Sequence, residues 1–370
     1  MLEEHHFRLK VHCMCHGIRL TPAAIDVLSN SGTAPITIHE YATTGGVTLR
    51  IGDMYLNAPF DDWYCDSSRA VLDVDESRQF HVVYEGVVTP CEVLPLPGYL
   101  EATNALGHPV ARTTMSHCDR IRVSPISGCT LDCAFCDLPA LRYRRHEADE
   151  ILASIEVAKA DTQLPPHHLL ISGGSPGPAH FDWFDETLVK VIEGCGLPTD
   201  VMMSPREGNL DHVRRFADAG AVGFSLNLEV FGDARATEIM PRKHQRSSPH
   251  MARTVEAAVA AVGGQGAVRS IVIIGLEGVE DTLAAIEFLA GLGADPVLSP
   301  FRPARGTLLE TWSPPSEEYL LEVFEEAQKI ANRHGVELGP RCIPCQHNTL
   351  TMPDPSIHWY SQATAVSGRA

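Results

Sequence analysis

The chain has 370 residues and a formal net charge of −18, long enough for one large or two ordinary domains with a sizeable core. The acidic balance excludes a broad phosphate-tracking surface, which depends on clustered Lys and Arg; the one short basic run, Arg142-Tyr143-Arg144-Arg145, does not reverse it. The N-terminal MLEEHHFRLK carries charge where a signal peptide needs an apolar run, and no stretch reaches the roughly 18 apolar residues of a membrane span, so the expected location is the cytoplasm, with no membrane partner.

In chain order, residues 1–115 read as a small β-rich domain. GVTLRIG at 45–51 and QFHVVYEGVV at 79–88 have β-branched and aromatic content bounded by Gly, Pro and Asp. From about residue 116 to 335, apolar runs alternate with amphipathic helical stretches, the pattern of β/α units on a parallel sheet. Strands are expected near 120–126, 168–173, 200–204, 222–229, 268–275 and 296–301, with helices near 147–160, 181–194, 209–219, 250–262, 280–292 and 316–334. Ser316 is placed to cap the last helix and Gly335 to end it. Six such units fit a partial (β/α)6 TIM-type barrel, an α/β fold, better than a closed eight-stranded one, and functional residues then belong at the C-terminal ends of the strands. Residues 336–370 form a C-terminal extension whose strand-like VELG is expected to return the chain to the barrel mouth, with its last polar residues disordered.

Eleven cysteines, an odd number with no secretory signal, argue against a disulfide framework. They cluster: Cys13 with Cys15, Cys129 with Cys133 and Cys136, Cys342 with Cys345. In SGCTLDCAFCD the spacing C-x3-C-x2-C directly follows the first barrel strand. Three thiolates can hold three irons of a [4Fe–4S] cluster and leave the fourth free for another ligand, whereas tetrahedral zinc wants four closed ligands.

This segment resembles the radical S-adenosylmethionine (SAM) superfamily, and the likeness runs from roughly 120 to 310, with the barrel most similar to biotin and lipoyl synthases. The resemblance implies that Cys129, Cys133 and Cys136 hold a [4Fe–4S] cluster that reductively cleaves SAM to a 5′-deoxyadenosyl radical, and that Phe135 packs near the adenine. Ser172, Gly173 and Gly174 in LLISGGSPG resemble the GGE segment that meets the methionine amino group, although Ser175 stands where Glu is usual. In FSLNLEV, Asn227 and Glu229 lie two residues apart on one face of a strand and resemble the N-x-D/E pattern that contacts the ribose. Arg242 in MPRKH corresponds to a basic residue near the SAM carboxylate, and Gly275 in IGLEG to the segment behind the adenine. Arg302 and Arg305 are further candidates for an anionic substrate group.

Cys342 and Cys345 admit three readings: an auxiliary Fe–S cluster, structural zinc, or a redox dithiol. A cluster there needs more ligands, with Cys13, Cys15, Cys65, Cys91 and Cys118 available and His16, His347 and Arg341 less usual; sulfur insertion by way of such a cluster then becomes a candidate reaction. The resemblance implies hydrogen abstraction from a small or carrier-bound substrate, with an electron donor such as flavodoxin or ferredoxin; methylation of tRNA or RNA is a further option, against which the acidic balance weighs. The alternatives are 3-amino-3-carboxypropyl transfer from SAM and a non-catalytic Fe–S or zinc scaffold.

Overall fold

A computed structural model describes residues 2–30, 45–263 and 266–351. Its centre is a seven-stranded curled sheet. Six strands run parallel in sequence order: β1 (Arg120–Val123), β2 (His168–Ile171), β3 (Thr199–Met203), β4 (Ala221–Leu226), β5 (Val268–Ile274) and β6 (Asp295–Pro300). The strand Thr114–His117 adds antiparallel to the free edge of β1. Helices Ala148–Lys159, Phe181–Cys195, Asp211–Asp218, Met251–Val262, Val279–Gly291 and Glu317–His334 cover the convex side, so the architecture is a partial TIM-type barrel.

The barrel helices and strands lie within a few residues of the expected spans because the periodicity is strong and the boundaries are chemically marked. Ser316 Oγ accepts from Tyr319 N at 3.2 Å at the start of the last helix, and Gly335 ends it at φ +67°. Buried apolar side chains from every layer meet in one core that includes Ile121, Leu169, Val201, Phe224, Val272 and Leu298 from the strands.

The chain before the barrel contains helices as well as strands. Helix Leu2–His16 precedes a short helix, Pro22–Asn30, and two small sheets. The first helix gave no helical signal because it is buried on two sides. Leu9 and Cys13 enter the N-terminal core, while Val11, Met14 and Cys15 enter the barrel core. Apolar residues on two faces cancel the one-sided stripe that marks an amphipathic helix. The strand-like stretch 79–88 opens a hairpin, Phe80–Tyr84 against Val87–Pro90, because Glu85 and Gly86 turn at φ +50° and +79°.

The C-terminal extension departs most from expectation. Val336–Leu338 forms no strand. Instead Gly339 N donates to Pro296 O at 2.9 Å and Leu350 N to Leu298 O at 2.9 Å, so the chain runs beside β6 and folds under the sheet. The buried pair Arg341–Asp295, Nε to Oδ2 2.7 Å, anchors it at the first residue of β6. Cys342 and Cys345 therefore lie at the N-terminal ends of the strands, beside Asp119 and His168, and not at the mouth. The expected disorder at the end of the chain concerns residues outside those described.

Candidate active site

The loop from β1 to the first barrel helix carries Cys129, Cys133 and Cys136. A two-stranded antiparallel clasp closes its base, Ile126↔Arg145 and Ser127↔Arg144, and Ser127 Oγ lies 2.8 Å from His146 Nε2. Backbone and side-chain bonds fix the loop from outside: Ala134 N donates to Ile239 O at 2.7 Å, and Arg242 N to Asp132 Oδ1 at 2.9 Å. Helices Asp233–Ile239 and Pro241–Ser247, both absent from the sequence reading, thus serve as a clamp on the cysteine loop.

The loop after β2 packs directly on the cysteine loop. A Cβ on Gly174 would stand 1.7 Å from Gly128 O, and one on Gly173, at φ +123°, would stand 2.0 Å from Ser124 Oγ. Only glycine permits this approach. The approach lets Ser175 N donate to Cys129 Sγ at 3.2 Å, and Leu131 N donates to the same sulfur at 3.4 Å. Ser175 Oγ, which stands where the resembling family has Glu, pairs with Ser204 Oγ at 3.0 Å.

A cavity of about 970 Å³ opens at the C-terminal ends of the strands. Cys136, Ser172, Gly173, Gly174, Asn227 and Glu229 line it. Asn227 Oδ1 accepts from Ser225 Oγ at 2.8 Å and from Ile271 N at 3.3 Å, which fixes the amide on the cavity wall. Glu229 holds φ +70°, an uncommon conformation for a side-chain-bearing residue, stabilised by Glu229 N to Ile271 O at 2.8 Å and Ile273 N to Glu229 O at 2.9 Å.

Arg242 lies elsewhere. Its side chain is 63 % exposed on the outer side, with Nε 3.4 Å from Asp132 Oδ2. The next residue, Lys243, faces inward and its Nζ lies 2.5 Å from Glu229 Oε2. Adjacent positions on a helix point about 100° apart, so the basic run MPRKH places one charge outside and the next inside. Lys243, Arg246, Arg206, Met202 and Met203 on the wall went unnoticed in the sequence. Lys243 was legible only as Arg242's neighbour.

Phe135 is half-buried in an apolar cluster with Leu131, Leu276 and Phe301 behind the cysteine loop. Gly275, at φ +103°, takes its conformation where a Cβ would meet Pro315 at 2.9 Å, a packing reason for glycine. Glu277 accepts from Phe231 N and Gly232 N, and burial pushes its carboxyl up against these bonds. Neither Arg302 nor Arg305 lines the cavity: Arg302 Nη1 donates to Asn57 Oδ1 at 2.9 Å, and Arg305 pairs with Asp61 and Asp62. Both arginines thus join the barrel to the N-terminal region.

The donor set fits an iron–sulfur cluster. Three thiols share one short loop, one of them accepts two backbone N–H bonds, and one reaches the cavity wall. Burial pushes the Cys133 thiol up, and the Cys136 thiol up to about 12, so without metal both keep their protons, which a bound metal must displace. Residues 123–289 match the family described as the Radical SAM superfamily. Most of the barrel thus matches a radical SAM domain. Members of this superfamily use a [4Fe–4S] cluster and SAM.

Two curated relatives are the dual-specificity RNA methyltransferases RlmN of Bradyrhizobium sp. strains BTAi1 and ORS 278. Each is 28% identical over 207 residues, 51% of this chain and 51% of theirs. The chain thus spans about half the length of the curated relatives it matches. Among solved structures, the radical SAM methyltransferase from Sphaerobacter thermophilus aligns over 73% of this chain and 76% of its own at 15% identity, TM-score 0.45. Streptococcus suis SuiB bound to S-adenosylmethionine aligns over 61% and 48% at 16% identity, TM-score 0.46. Escherichia coli coproporphyrinogen III oxidase (HemN) aligns over 59% and 54% at 18% identity, TM-score 0.43. Among the described residues, no helix is long and apolar enough to cross a membrane.

Proposed function

We propose that this radical SAM domain cleaves SAM reductively at the mouth of the barrel and abstracts hydrogen from a small or carrier-bound substrate in the cytoplasm, with Cys129, Cys133 and Cys136 as cluster ligands. The observation that carries the reading is the convergence of Cys136, Ser172–Gly174, Asn227 and the Glu229–Lys243 pair on one cavity. When bound and reduced by an external donor such as a flavodoxin or ferredoxin, the cluster supplies the electron that breaks a carbon–sulfur bond of SAM.

The chain's own residues bind and orient. In this reading the backbone groups of Ser172, Gly173 and Gly174, which line the cavity, accept the methionine ammonium, and Asn227 and Glu229 meet the ribose hydroxyls. Lys243 and Arg246 supply positive charge for the carboxylate, a charge-assisted contact. Met202, Met203 and Phe181 give the opposite wall an apolar surface that displaces water from the reacting region.

Sulfur insertion loses its support, because Cys342 and Cys345 sit at the opposite ends of the strands from the cavity. A second reading follows from the RlmN relatives, namely methyl transfer, with RNA as those proteins' named substrate class. The net charge of −18 weighs against an RNA partner.

Product analysis separates these readings. Anaerobically reconstituted protein, reduced with dithionite and given SAM, should form 5′-deoxyadenosine. Only S-adenosylhomocysteine would point to methyl transfer alone, and methylthioadenosine to aminocarboxypropyl chemistry. No cleavage product at all would support a scaffold.

A further inference from the structure

A second set of metal-type donors converges at the other pole of the barrel. Asp119 lies in the turn before β1, His168 is the first residue of β2, and Cys342 and Cys345 flank the turn that opens the C-terminal 3-10 helix Ile343–Asn348. One ligand atom from each of the four lies within 4.8 Å of every other. Cys345 Sγ is 3.4 Å from His168 Nε2, and Cys342 Sγ is 3.8 Å from Asp119 Oδ1.

These lengths decide the kind of occupant. A zinc ion with ligand bonds of about 2.0–2.3 Å sets tetrahedral donor–donor edges at about 3.3–3.8 Å; the Cys345–His168 and Cys342–Asp119 pairs fall on that range, and Asp119 Oδ1 stands 3.9 Å from His168 Nδ1. A polynuclear cluster holds its thiolates farther apart, around a body of several metal atoms. Two sulfurs and an imidazole also select a borderline-soft ion over magnesium or calcium.

We propose that Asp119, His168, Cys342 and Cys345 bind one tetrahedral zinc-class divalent cation as a closed, structural site, separate from the chemistry at the mouth. His168, Cys342 and Cys345 are all buried, as a site without an open coordination position requires. The surroundings hold the ligands in place. Asp119 Oδ2 pairs with His167 Nδ1 at 3.2 Å, leaving Oδ1 toward the cysteines, and Cys345 N donates to Cys342 O at 3.0 Å.

The ion would join segments remote in sequence. β2 is four residues long, so at about 3.3 Å per residue the site lies roughly 13 Å below the Ser172 backbone and cannot share its ligand. What it fixes instead is the C-terminal segment beneath the sheet. That segment in turn accepts two bonds from the buried Lys10 Nζ, to Gln346 O and Thr351 O, each 2.8 Å, so the first helix is tied to the same staple.

The test separates the two poles by removing the cluster ligands. Full-length protein carrying Cys129→Ser, Cys133→Ser and Cys136→Ser is purified from zinc-supplemented medium and its zinc, iron and sulfide are measured. The expected result is about one zinc per chain, with loss of the zinc when Cys345→Ser or His168→Ala is added. Should an added substitution prevent folding, Co2+ titration of the chelator-stripped parent decides: one equivalent should give tetrahedral ligand-field bands with sulfur-to-cobalt charge transfer. Iron with sulfide in place of zinc, zinc content unmoved by Cys345→Ser in folded protein, or a parent that takes up neither zinc nor Co2+ would overturn the assignment.

Discussion

Lys243 Nζ stands 2.5 Å from Glu229 Oε2 at the cavity wall, with the two side chains only 6% and 16% exposed. A nearly buried pair of this kind is costly to break from one side, because the remaining charge has no partner, by about 3–5 kcal/mol where burial is complete. Lys243→Met and Glu229→Gln should each lower the unfolding midpoint in denaturant, and the double variant should lose less than the sum. At the site itself, Lys243→Met should weaken SAM binding about 10- to 100-fold, the range of a charge-assisted hydrogen bond. Equilibrium binding to reconstituted protein measures this, and Arg242→Met serves as the comparison, with little effect expected from its exposed side chain.

Gly174 and Gly177 lie three residues apart in one loop, and only the first should be sensitive to alanine. At Gly174 the new Cβ would fall 1.7 Å from Gly128 O, so the loop must move and the cysteine loop with it. At Gly177 the nearest atom is Thr130 Cγ2 at 3.7 Å, an ordinary contact. Iron content after anaerobic reconstitution should fall strongly in Gly174→Ala and stay at the parent value in Gly177→Ala.

Arg302 is read as a tie between barrel and N-terminal sheets. Arg302→Met removes the bond to Asn57 Oδ1 and should cost about 1.5–3 kcal/mol in chemical unfolding, the usual range for a hydrogen bond to a charged group. Iron content and SAM affinity should remain those of the parent. A selective loss of substrate turnover with unchanged stability would return Arg302 to a substrate-binding role.

His212 is buried against Phe216, and burial lowers its pKa to about 4. The unfolded chain, with the ordinary value near 6.5, binds the proton more readily across that window. Stability should therefore fall as pH drops from about 6.5 to 4, by up to about 3 kcal/mol from this residue. His212→Gln should flatten that part of the profile in urea titrations compared at pH 7, 5.5 and 4.5.

The barrel was legible because each strand and helix carries a single periodic signal with marked ends, as Ser316 and Gly335 show for the last helix. Residues whose placement depends on tertiary contact were not. Helix Leu2–His16 buries two faces in two cores and so shows no stripe. In the MPRKH run, charge type was readable but direction was not, since one helical step separates the outward Arg242 from the inward Lys243. The position of Cys342 and Cys345 failed for a related reason: VELG has strand-like composition, but the pairing of Gly339 with Pro296 carries the segment below the sheet. His168 gave no signal at all, being one polar residue at the head of an apolar strand, and only the return of the C-terminal segment gives it sulfur neighbours.

Iron and sulfide quantification on anaerobically reconstituted protein tests the central claim most directly. About four irons per chain are predicted, as one [4Fe–4S] cluster requires, abolished by Cys129→Ala, Cys133→Ala and Cys136→Ala together and unchanged by Cys342→Ala with Cys345→Ala. Iron that survives loss of the three loop cysteines, or about eight irons halved by loss of the C-terminal pair, would contradict the account.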